Sequence, residues 1–242
     1  MVNNNVFNKL AIEKVKTQSD YLANKIKKMI ISGELSGGSV FPNENDLSKK
    51  LNVGRGTLRE AYTILETEGY IQRTKNGTSV RGRDEIAQQG NLKASLELAD
   101  FNKMIEFVCV LEPAAVYIAA KNITDSQLAE LKSLMDACEN ATDDLHRFLQ
   151  LNYEIHSCIR NASENHLIIS ALIAYYNIFE QHIVRNIYFS NYNNDEFRKE
   201  SLQQHSRLFD ALEKRDADLA KAIMLEHLHH DVDFGLKNFL PF

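Results

Sequence analysis

Asn43 to Gly69 reads NENDLSKKLNVGRGTLREAYTILETEG: a short helical segment, a tight turn, and a second helical segment that opens on arginine. In the second segment Leu58, Ala61, Tyr62 and Leu65 follow the i, i+3, i+4, i+7 spacing of a single helix face, so that face packs inward. Arg55, Thr57 and Arg59 fall on the other side of its opening turn. In a helix-turn-helix, the N-terminal residues of the second helix meet base edges in the DNA major groove. The segment therefore has a core side and a DNA side.

Moving outward from it, Tyr70 to Thr74, Lys75-Asn76-Gly77 and Thr78 to Arg81 read as two short strands around an Asn-Gly turn. That dipeptide supplies the positive φ angles a tight hairpin demands. Arg73, Lys75, Arg81 and Arg83 make the hairpin basic, as suits a wing that reaches the DNA backbone or minor groove. On the N-terminal side, Gln18 to Ser32 places Tyr21, Leu22, Ile26, Met29 and Ile30 on one stripe, and Gly33 ends the helix. Gly37, Gly38 and Pro42 form the loop into the next helix, for which Asn43 is the N-cap. Residues 11–83 are thus expected to form a winged helix-turn-helix DNA-binding domain.

These residues resemble the GntR superfamily of bacterial transcription regulators. The resemblance is carried by Phe41-Pro42-Asn43-Glu44-Asn45-Asp46-Leu47-Ser48, by Leu51 to Ala61, and by Leu65-Glu66-Thr67-Glu68-Gly69-Tyr70-Ile71. It implies that Arg55, Thr57, Arg59, the wing glycine Gly77 and the position of Asn45 contact DNA, beside which Lys75 of the basic hairpin is a further candidate. One departure is Asn45, where the family usually carries arginine, so the phosphate contact implied there is weaker.

Composition bounds the remainder. The 242 residues, 44% hydrophobic and 25% charged, suit one large or two modest soluble domains. The net charge of −5 hides an asymmetry: residues 1–83 carry 14 Lys and Arg against 8 Asp and Glu, and residues 84–242 carry 14 against 25. A basic face can steer association with DNA on a chain that is acidic overall. No apolar run reaches the roughly 18 residues of a membrane span, and the N-terminus lacks a signal-peptide core, so a cytoplasmic protein is expected. Cys109, Cys138 and Cys158 are widely spaced within helical patterns, which points to reduced thiols rather than a disulfide frame.

Gly82 to Gly90, GRDEIAQQG, reads as a polar hinge, with residues 84–90 as the linker. From Asn91 onward the pattern is helical, near 91–99, 101–121, 124–140, 143–162, 165–189, 194–214 and 216–238, with Pro113 expected to kink its helix. The expected fold is mainly α: an N-terminal winged helix-turn-helix followed by a C-terminal all-α antiparallel helical bundle over residues 91–242. Within the bundle Asn152 and His156 are four apart on one helical pattern, a chelating spacing. His205 and His227 lie on later helices beside apolar neighbours. Three imidazoles converging from three helices suit a divalent ion, with zinc, nickel, manganese and iron all compatible. The spacing alone leaves the other reading open, that these are ordinary core or surface histidines.

Three segments carry a second resemblance, to the FCD effector domain of the FadR branch: Leu151 to His156, His205 to Leu212 with Asp216 to Ala220, and Met224 to Leu228. It implies that Asn152, His156, His205 and His227 hold a divalent metal. Two departures are visible. The first ligand, commonly Asp, is Asn152, whose neutral amide leaves the site more positive. Val108 stands where relatives often place an arginine for an effector carboxylate. Arg185, in the helix with Tyr175, Tyr176 and Gln181, is the candidate substitute, with Tyr176 beside it.

The expected function is a sequence-specific transcription regulator, a repressor, and not an enzyme. It would act as a homodimer on an inverted-repeat operator in double-stranded DNA and respond to a small organic acid bound at the metal. Two alternatives are a metal-dependent hydrolase and a DNA-binding protein with a non-sensing dimerisation bundle. The hydrolase requires Glu154 or Glu226 as base; each neighbours a ligand at i±2 or i±1 and so points elsewhere on its helix, and no Gly-rich phosphate loop is present.

Overall fold

The computed structural model describes residues 17–88, 92–141, 143–182 and 195–239. The chain is mainly helical and divides into two compact units between Leu98 and Ala99.

The first unit contains α1 (Gln18–Ile31), α2 (Glu44–Leu51), α3 (Arg55–Thr67), β1 (Ile71–Thr74), β2 (Gly77–Val80), α4 (Arg83–Gln88) and α5 (Leu92–Leu98). Asn43 caps α2, its side chain accepting from the Asp46 amide at 2.9 Å. Asn52 ends α2 at φ 52°, a left-handed turn that asparagine tolerates better than most residues. The four apolar positions of α3, Leu58, Ala61, Tyr62 and Leu65, are fully buried and share a core with Leu22, Ile26 and Ile30 of α1. In the wing Ile71 pairs with Val80 and Thr74 with Gly77, and Val40 adds a bridge to Ser79.

The hairpin turn differs from the expectation. Neither Lys75 nor Asn76 takes a positive φ; only Gly77 does, at 120°. Gly77 opens β2, so the glycine is needed where the chain re-enters the ladder and not at the turn's centre.

The hinge expected over residues 84–90 differs as well. Arg83 to Gln88 forms α4, started by Glu85, which accepts from the Gly82 amide at 2.8 Å. Its one large aliphatic residue, Ile86, is 1% exposed and enters the core beside Leu65, Ile71 and Val80, where Ala94 of α5 joins it. Lys27 lies 2.8 Å from Glu68 and 3.7 Å from Glu97, and the Tyr70 hydroxyl donates to Glu97. This part-buried ionic group ties α1, the C-terminal cap of α3 and α5 together, and the N-terminal unit continues to Leu98. Truncating Ile86 to alanine is expected to cost the unit about 2–5 kcal/mol, read as a lower midpoint in urea.

The second unit contains α6 (Phe101–Asn122), α7 (Asp125–Glu139), α8 (Leu145–Ala162), α9 (His166–His182), α10 (Asp195–Glu213) and α11 (Ala217–Phe239). Helix α6 packs against α8, α9, α10 and α11. Its small buried residues, Ala115, Ala119 and Ala120, permit close approach of neighbouring helices. It continues as one helix across Pro113. Thr124 and Gln127 form a capping box on α7, and Asp144 caps α8 by accepting from the Arg147 amide at 3.0 Å. Cys109, Cys138 and Cys158 are free thiols. No helix among the described residues is long and apolar enough to cross a membrane.

Candidate metal centre and recognition face

Helix α8 carries two parallel columns on its buried side. Phe148, Leu151, Ile155 and Ile159 form the apolar one, and Asn152, His156 and Arg160, each four residues apart, form the polar one. His205 arrives from α10 and His227 from α11, 2% and 1% exposed. The Nε2 atom of His156 lies 3.2 Å from that of His205 and 3.3 Å from that of His227. A tetrahedral ion with Zn–N bonds near 2.0–2.1 Å separates adjacent donors by roughly 3.3–3.4 Å, so both of these separations match ligand spacing.

The protonation chemistry agrees. Burial, and then the neighbouring His227, hold His156 and His205 well below the usual imidazole range, leaving both neutral with lone pairs to offer. Gln204 accepts from Nδ1 of His227 at 2.6 Å, which puts the proton on Nδ1 and turns the Nε2 lone pair toward His156. One N–H on His156 would have to be shared between the other two imidazoles, a weak arrangement, whereas a cation among the three takes all three lone pairs. A cleft of about 370 Å³ between α7 and α10 reaches His205, with exposed Lys132 and Lys199 among its lining residues.

Beyond the histidines lies an ion pair. Arg160, 1% exposed, donates from Nη1 to Glu112 Oε1 of α6 at 3.1 Å, and Glu112 is fully buried. Burial pushes the Glu112 carboxyl up, opposed by the Arg160 guanidinium and by a hydrogen bond from Tyr176. The guanidinium also lies 4.6 Å from the Tyr176 ring and 5.4 Å from that of Tyr153.

On the N-terminal unit Arg55 and Arg59 are exposed at the start of α3, and Asn45 and Arg55 line one cleft of about 670 Å³. Lys75 and Gly77 are exposed at the wing tip, and Thr57 is half-buried. Glu44 joins helix to wing: its carboxylate accepts from Arg59 at 2.6 Å and from Arg73 at 3.2 Å. Those guanidinium groups hold Glu44 below the usual carboxylate range, Arg59 contributing most.

Family models match both units. The model described as bacterial regulatory proteins, gntR family, matches residues 18–80, and that of the FCD domain matches residues 103–230. The chain is 32% identical over 228 residues to the HTH-type transcriptional regulator YcbG of Bacillus subtilis (strain 168), covering 92% of this chain and 91% of that protein. The chain belongs to the GntR family, with an FCD domain. The GntR-family relatives also include the HTH-type transcriptional repressor NanR of Klebsiella aerogenes, 27% identical over 223 residues, 88% of this chain and 83% of that one. A solved structure of Lar, which controls the expression of the Listeria monocytogenes agr system, shares the fold. It has a TM-score of 0.61 at 18% identity over 93% of this chain and 100% of that one. As a GntR-family protein the chain is a DNA-binding transcriptional regulator and not an enzyme, and its partners are DNA and a small-molecule effector.

Of the residues singled out in this GntR-family sequence, His156, His205 and His227 come together, and Asn152 is buried one turn before His156. His230, one turn beyond His227, is drawn to Glu200 at 2.6 Å instead. Tyr176 lies beside a cation, but that cation is Arg160; Arg185 is outside the described residues. Val108 is buried, 3% exposed. Sequence reading missed Arg160, although its i+4 spacing from His156 was visible, because a charged residue at a helix position reads as solvated.

Proposed function

We propose that this regulator is a homodimeric repressor whose bundle holds a divalent ion on His156, His205, His227 and Asn152, and whose DNA affinity responds to a small carboxylate bound at that ion. The observation that carries the proposal is the convergence of three buried imidazole nitrogens at 3.2 and 3.3 Å, which protons serve only through one shared N–H and which suits a cation. Zinc, nickel, manganese and iron remain compatible with the three-nitrogen set. Arg55, Thr57 and Arg59 read the major groove. Asn45, Lys75 and Gly77 meet the backbone beside it. The exposure of Arg55, Arg59, Asn45, Lys75 and Gly77 supports these roles. Two copies related by a two-fold axis bind an inverted repeat, and the exposed apolar side chains Val110 and Leu167 on the bundle support pairing of copies. The protein acts in the cytoplasm, where its DNA lies.

Selection from a random duplex library tests this reading, using metal-loaded and chelated protein and an added panel of small organic acids. The expected outcome is a two-fold-symmetric site whose affinity changes with an acid only when the metal is present. An asymmetric site, or acid responses indifferent to chelation, would reject it.

A further inference from the structure

Arg160 is built differently from an ordinary buried salt bridge. A guanidinium carries five N–H donors in a planar fork that matches a carboxylate through two parallel bonds. Here the one ion pair is single-pronged, Nη1 to Glu112 Oε1 at 3.1 Å, and Nη2 is buried with no hydrogen-bond partner among the described residues. Leaving such a donor unmade is costly in an interior. The tyrosine rings at 4.6 and 5.4 Å hold the guanidinium in place. It sits one helical turn from His156, which puts the two side-chain bases about 5–6 Å apart on one face.

Charge points the same way. The three imidazoles and Asn152 bring no negative charge, and Glu112 offsets only Arg160. A divalent ion on the histidines would leave about two positive charges inside the bundle, a burial that demands anions.

We propose that Arg160 receives one carboxylate of a short dicarboxylate, whose other carboxylate reaches the ion held by His156, His205 and His227. The inference rests on the metal site proposed above and names what that site selects. The ligand's carboxylate takes the free prong of the fork, and its two negative charges neutralise the centre. A monocarboxylate satisfies only one of the two cations, and a neutral sugar satisfies neither.

Calorimetric titration of the full-length, zinc-loaded protein with succinate, malate, lactate and acetate at matched ionic strength tests the proposal. At least one dicarboxylate is expected to bind about tenfold or more tightly than either monocarboxylate. In the double variant Arg160→Gln/Glu112→Gln, which removes both buried charges together, that dicarboxylate weakens by about 10- to 100-fold while zinc stays at the wild-type content. Arg160→Lys keeps the charge without the fork and retains intermediate affinity; if the double variant does not fold, this variant decides. Equal dicarboxylate affinity in the wild type and the variants overturns the proposal. So does a monocarboxylate as tight as the dicarboxylates, or no binding by any of the four. Zinc content separates the two levels: wild-type protein that takes up no zinc defeats the metal reading, whereas zinc-loaded protein indifferent to Arg160 defeats only the role assigned here.

Discussion

His156→Ala protein is expected to emerge from purification without the proposed divalent ion and to gain no melting temperature when metal is added back. His156 touches both other imidazoles through Nε2, so its removal would leave two of the three imidazoles that face one point. Altering second-shell partners alone typically costs 10–100-fold in metal affinity, and loss of this direct ligand should exceed about a hundredfold. An ion present at about 100 times its dissociation constant stabilises the folded state by about 2.7 kcal/mol; the variant forfeits that contribution. Paired calorimetric scans with and without chelator, beside elemental analysis, isolate the effect from the cavity left by the ring. Equal metal content and equal chelator sensitivity in the two proteins would show that the histidines are merely packed.

Arg55→Ala and Arg59→Ala should each weaken operator binding by about 1–3 kcal/mol, roughly 5- to 150-fold, and relax sequence preference at different positions. Both residues are exposed and outside the core, so the melting temperature should hardly move. Arg59 gives up only a half-exposed pair with Glu44, and such pairs are worth about 0–1 kcal/mol. Anisotropy titrations on the selected operator and on a scrambled duplex read both effects. Unchanged affinity in the double variant would remove α3 from the DNA.

The winged head was legible because its decisive signals are local. Four apolar residues at helical spacing, an asparagine cap and a glycine after β1 each act within a few positions, and the structure uses every one. The ends of the head were not. Residues 84–90 look like polar connection because a single isoleucine, Ile86, supplies the buried anchor, too little to establish a period, and the helical pattern from residue 91 reads as the start of the bundle although Ala94 joins the core of the head. In the bundle, the histidines could be proposed from chelating chemistry and resemblance, but their convergence depends on how α8, α10 and α11 pack. Arg160 was hidden for the opposite reason: its partner Glu112 lies 48 residues earlier, and nothing near Arg160 in sequence signals that its charge is buried.

The Lys27, Glu68, Glu97 and Tyr70 group has a thermodynamic corollary. Because Glu97 of α5 accepts from the hydroxyl of Tyr70, which is 1% exposed, and lies 3.7 Å from Lys27, undocking α5 would leave that hydroxyl without its partner and Lys27 with Glu68 alone, and partial opening is therefore penalised. The DNA reader and the helix leading out of it should melt as one foldon, with backbone amides of α5 exchanging their hydrogens at the pace of α3 and not at that of a frayed tether.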